Sequence, residues 1–108
     1  MKRITTTVFL LALAAPAFAG GNIAAGEAKA KEVCAACHGP EGNAPISPDF
    51  PKLAGQKADY LENALRDYKS GARKNAIMAG QAQALTEKDI ENLAAYFSTR
   101  KGSLYVKR

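Results

Sequence analysis

The chain has 108 residues, 15 Lys and Arg against 10 Asp and Glu, a formal charge of +5, and 47% apolar residues. That is one modest domain at most, and too apolar for a disordered chain. Two cysteines and one histidine exclude a disulfide-dense scaffold and any multi-histidine metal site, and the charge is far from the dense basic patch that nucleic acid binding needs.

The first nineteen residues read as a cleaved secretory signal peptide. Lys2 and Arg3 form the positive end, Val8 to Ala15 an apolar core, Pro16 a helix breaker, and Ala17-Phe18-Ala19 a small-x-small cleavage site. The uncharged run from Ile4 is about 16 residues, short of the ~20 that span a bilayer, so no transmembrane anchor is expected after cleavage. Cutting after Ala19 removes two positive charges and no negative ones. It leaves 89 residues with 13 basic and 10 acidic side chains, a net +3. Export places the two cysteines in an oxidising compartment, where free thiols do not persist. A domain this small, with much of its apolar content in alanine, needs a crosslink or a bound group to complete its core.

Three helices are expected in the remaining chain, divided here into a domain over 20–99 and a basic tail over 100–108. The first spans about Ile23 to Ala36, with Gly26, Ala30, Val33, Cys34 and Cys37 along one side. The second spans about Lys57 to Ser70, where Tyr60, Leu61, Ala64, Leu65 and Tyr68 form one stripe and Gly71 is the stop. The third spans about Glu87 to Thr99, with Thr86 as N-cap, Asp89 completing a short capping box, and Ile90, Leu93, Ala94 and Phe97 on one face. Between them lie two long loops, Gly39 to Gln56 and Ala72 to Leu85. No segment alternates long enough to form a strand, so the fold class is all-α. Loops this long in a small domain are usually functional, and both are placed to pack on a large planar ligand.

Cys34-Ala35-Ala36-Cys37-His38 is the attachment signature of a c-type haem. Two thiols three positions apart reach two carbons on one haem edge and form thioethers, and the next residue offers an imidazole to the iron. The rival chemistries fit less well. Zinc would be one ligand short, since Cys34, Cys37 and His38 are every cysteine and histidine in the chain. A thioredoxin-like pair calls for a sheet, and a Cys34–Cys37 disulfide closes too short a loop to stabilise much. After signal removal Met78 is the single methionine, which makes it the expected second axial ligand, with Lys74 or an open position as alternatives. Haem histidines hold their orientation through a hydrogen bond from the other ring nitrogen. A carbonyl of the proline-rich loop is the expected acceptor, and Pro48 is the candidate.

The chain resembles the class I c-type cytochromes, the small bacterial single-haem cytochrome c-553 type in particular. It is also similar to one half of a two-haem cytochrome c4. The resemblance covers nearly all of residues 21–99. It rests on Cys34-x-x-Cys37-His38, Pro51-Lys52-Leu53-Ala54-Gly55-Gln56, Tyr60, Met78, and Leu93-Ala94-Ala95-Tyr96-Phe97. It implies that the first and last helices cross closely, with Gly26 and Ala30 against Leu93 and Tyr96, and it supports Pro48 beside His38. The chain departs from many relatives in having Ala79-Gly80 where a proline stands near the axial Met, which implies a less stiff methionine loop. The expected function is a periplasmic, monomeric electron carrier with one haem c, His38/Met78 ligation and transient redox-protein donors and acceptors. Lys29, Lys31, Lys52, Lys57, Arg73 and Lys74 are candidates for steering an acidic partner. Two other functions stay open: a gas-binding sensor or enzyme subunit with a displaceable Met, and an exported thiol–disulfide protein.

Overall fold

The computed structural model describes residues 3–7 and 20–104. Most of the expected signal peptide, its cleavage site included, and the tail beyond Leu104 lie outside the described residues. Five helices follow in order: α1 (Ile23–Val33), α2 (Ala35–His38), α3 (Ala58–Ser70), α4 (Ala76–Gln83) and α5 (Glu87–Thr99). There is no strand among the described residues, as an all-α fold requires. No helix among them is long and apolar enough to cross a membrane.

Helices α3 and α5 lie within one residue of the expected spans, because the apolar periodicity agrees with the Gly71 stop of α3 and the Thr86 cap of α5. The first helix runs two residues further than expected and tightens at Cys34. Its carbonyl accepts from both Cys37 N–H (3.2 Å) and His38 N–H (3.0 Å), so the chain turns more sharply as α2 begins. Gly39 ends α2 at φ 88°, a conformation costly for any residue with a Cβ.

The larger surprise is α4, which occupies part of the stretch read as a loop. Asn75 caps it, its side chain accepting from Met78 N–H at 3.0 Å. Behind that cap, Ala76, Ile77, Met78, Ala79 and Gln81 are adequate helix formers, and Gly80 is tolerated at modest cost. The span is short and has no amphipathic stripe, so periodicity alone did not reveal it.

The core forms where α5 crosses α1 and α3. Ile90, Leu93, Ala94 and Tyr96 are at most 1% exposed, and Ala30 meets them from α1. Each large apolar side chain buried this way contributes about 1.5–3 kcal/mol. Asn92 adds a polar tie between the two helices, accepting from Asn22 N–H at 2.8 Å just before α1. The start of the tail also packs: Gly102 approaches Ala54 and the Arg100 guanidinium sits 4.8 Å over the Tyr96 ring.

The α5 cap gives a direct test of this reading. Thr86 and Asp89 form a full capping box, with Asp89 N–H donating to Thr86 Oγ1 at 3.0 Å and Thr86 N–H donating to the Asp89 carboxylate at 2.9 Å. Thr86→Ala is expected to cost about 1 kcal/mol, read as a lower denaturant midpoint at unchanged slope. The Thr86 backbone bond, with further help from the Thr86 hydroxyl and Lys29, holds the Asp89 carboxyl below its ordinary 3.8, against its partial burial. A depressed folded value means that this contribution is present above about pH 4 and is lost as pH falls through the lower folded value.

Candidate functional site

The cleft that the helices leave open has a volume of about 370 Å³, and Cys34, His38 and Met78 all line it. A smaller hollow on the same side is lined by Cys34, Cys37, His38 and Met78. Residues forty positions apart thus converge on one face. The walls are apolar: Leu61 and Leu65 come from α3, Leu93, Ala94 and Phe97 from α5, and Phe50 from the loop after α2.

His38 is held in a single orientation. It is buried at 5% exposure, and its Nδ1 lies 2.8 Å from the carbonyl of Pro51. A carbonyl can only accept, so Nδ1 carries the proton and Nε2 keeps its lone pair for a metal. The Phe50 ring meets the imidazole edge to face, with centroids 6.2 Å apart. The acceptor is therefore Pro51 rather than Pro48, which is exposed and lines neither hollow. The reason is one of direction. A proline's fixed φ does not aim its carbonyl, and the path of the loop does. Leu53 N–H and Ala54 N–H both bond to the carbonyl of Gly42, at 2.7 and 3.1 Å, and this holds the chain just after Pro51. Pro51 opens the Pro-Lys-Leu-Ala-Gly-Gln run, so a signal stood at that position, but nothing in the sequence separated it from the neighbouring prolines.

Met78 is half-buried in α4, one turn past its Asn75 cap. Ala79 and Gly80 lie inside that helix, so they do not form a slack loop. The residues present fit a covalently held haem: two thiols on the turn into α2, an oriented imidazole, a thioether facing the same cleft, and a greasy enclosure. The sulfurs fit the thiol-redox alternative poorly. Burial, with Cys37 adding to it and Lys29 opposing, pushes the Cys34 thiol up to about 11. Attacking thiols of redox pairs have lowered values instead.

Of the six cations named for steering a partner, Lys57 and Lys74 are exposed and line neither hollow, and the other four divide in two. Lys29 pairs with Glu32 and Asp89, and Lys31 with Glu27, so both are engaged on α1. Lys52 and Arg73 line the cleft, where Arg73 lies 4.8 Å over the Tyr68 ring and reaches the Tyr60 hydroxyl at 3.5 Å.

Comparison with known proteins agrees with this geometry. Residues 23–101 match the family described as Cytochrome c. Cytochrome c4 of Pseudomonas aeruginosa is 44% identical over 103 residues, which covers 95% of this chain and 50% of that protein. Cytochrome c-554(548) of Halomonas halodenitrificans is 43% identical over 84 residues, 75% of this chain and 99% of that one. The crystal structure of reduced recombinant cytochrome c4 from Pseudomonas stutzeri superposes with a TM-score of 0.70 at 44% identity, covering 77% of this chain and 47% of that one. The chain thus spans about half the length of the cytochrome c4 relatives.

Proposed function

The chain belongs to the cytochrome c family and carries one covalently bound haem c, and on that premise we propose that it shuttles single electrons between redox proteins in the periplasm. When bound, haem c supplies an iron that takes up and gives back one electron. In this reading Cys34 and Cys37 would hold the group through thioethers, and His38 Nε2 and Met78 Sδ would hold its iron. The observation that carries it is the His38–Pro51 bond, which frees one ring nitrogen at the wall of a cleft that Met78 also lines.

The protein's contribution is to set and protect that site. The bond to the Pro51 carbonyl fixes the imidazole's tautomer and ring orientation and makes its free nitrogen a better donor. A Met/His pair raises the reduction potential, and the leucines and phenylalanines around the cleft favour the less charged state by excluding water. If His38 and Met78 both held the iron, no position would be left for a substrate, which is what separates a carrier from a gas sensor. The feature that motivated the sensor reading, a slack Ala79-Gly80 loop, is helical here. Residues 1–19 would direct export, and a mature charge of +3 leaves the molecule mildly basic. Lys52 and Arg73 are the cations placed to meet an acidic partner near the cleft.

The test is expression of the whole chain with a c-type maturation system, followed by visible spectra of both redox states and haem staining on a denaturing gel. Haem retained after denaturation, sharp reduced bands and the weak far-red sulfur-to-iron band are expected in the periplasmic fraction. Ready binding of carbon monoxide without the far-red band would overturn the carrier reading, and absence of covalent haem would return Cys34 and Cys37 to thiol chemistry.

A further inference from the structure

We infer that Lys69 and Gln83 are positioning residues for Met78, acting together by bonding the ends of α3 and α4 to each other. The inference rests on the reading of Met78 as an iron ligand.

Helix α4 has little else to hold it. At eight residues it is too short to stand alone in water. Ala82 is its buried residue, joined by Leu85 just beyond its end. Its packing is against α3, whereas α5 and α1 make the core without it. The thioether therefore sits on an element whose apolar anchorage is thin and lies at one end.

Two long-range hydrogen bonds fasten that end. The Lys69 ammonium, in the last turn of α3, donates to the carbonyl of Leu85 after α4. In return the Gln83 side-chain amide, at the last residue of α4, donates to the carbonyl of Lys69 at 2.7 Å. Helix C-termini leave carbonyls without partners and carry partial negative charge, so an amide and an ammonium are well suited to both places. Each helix supplies the donor that the other lacks. Tying down the C-terminal end of α4 fixes its direction, while Asn75 caps its first turn. Met78 lies between the two ties. With the bond of Lys69 or of Gln83 lost, the thioether would leave the iron more readily, although neither of those two residues lines the cleft beside Met78.

The experiment uses the full chain with haem attached, in the ferric state, titrated with imidazole as the competing ligand. Loss of the far-red band reports displacement of Met78. Lys69→Met and Gln83→Leu are each expected to tighten imidazole binding roughly fivefold, the value of one ordinary hydrogen bond. Both lower the reduction potential, while Lys69→Arg stays close to wild type. Asn22→Ala serves as the comparison, since it removes the side-chain cap of α1, where Asn22 Oδ1 accepts from Ala25 N–H at 2.9 Å, without touching the ends of α3 and α4, and it leaves imidazole affinity unchanged. If Lys69→Met and Gln83→Leu lower the unfolding midpoint as Asn22→Ala does, yet bind imidazole like wild type, the two residues are ordinary structural contacts and the inference falls. A wild-type protein without the far-red band would fail differently: Met78 would not be a ligand, and the parent reading would go with it.

Discussion

Replacing Met78 with Ala is expected to abolish the far-red sulfur-to-iron band, open the iron to carbon monoxide in the reduced state, and lower the reduction potential by on the order of 0.1–0.3 V. That shift is a fraction of the ~0.8 V over which axial ligands tune haem iron. Covalent haem, read by staining after denaturation, is expected to be unchanged, because Cys34 and Cys37 do not depend on the sixth position. The physical basis is the placement of Met78 on the same cleft as an imidazole whose second nitrogen is already committed to Pro51. Potentiometry with carbon monoxide titration decides the matter. A variant that keeps the band and the potential would show that another side chain, such as Lys74, supplies the ligand.

The second large effect concerns Gly26. A Cβ at this position would lie 2.0 Å from the Asn92 carbonyl oxygen and 2.8 Å from Tyr96 Cβ. Both neighbours belong to the buried face of α5, and one is backbone, so neither yields cheaply. Gly26→Ala would gain helix propensity in an exposed helix. Here it must separate α1 from α5, and overpacking of this kind costs about 3 kcal/mol or more. A lower yield of folded haem protein and a denaturant midpoint well below that of Thr86→Ala are expected. Ala25→Gly, at an exposed position next to it, would lose only about 1 kcal/mol of propensity. If Gly26→Ala proved as stable as wild type, the close crossing of α1 and α5 would be wrong.

That crossing was legible in part. The small pair Gly26 and Ala30, together with the resemblance to class I cytochromes, pointed to contact with Tyr96, and the structure has it. The role of Asn92 was not legible. In a helical wheel it reads as an ordinary polar residue, yet it is buried at 8% exposure and accepts from Asn22 N–H. A polar residue becomes a buried tie only when another element brings a donor to it, and the sequence of α5 carries no record of that donor.

The site divides in the same way. The haem attachment motif is contained in five consecutive residues, so spacing along the chain specifies its chemistry without help from the fold. Helices α3 and α5 were equally local, since each carries a stripe of apolar residues, with a glycine stop at Gly71 ending α3 and the Thr86 cap starting α5. The rest needed the tertiary structure. Four prolines follow His38 in the loop, and only the folded path, tied to Gly42, turns the carbonyl of Pro51 toward the ring rather than that of Pro48. The helix under Met78 is too short and too uniformly apolar to announce itself, and it persists because α3 offers a surface and two capping bonds. What this sequence determines alone is whatever is encoded within a turn or two of helix. What the tertiary structure decides is which distant donor meets which acceptor, because those bonds form only after the hydrophobic crossing of α1, α3 and α5 has brought the segments together.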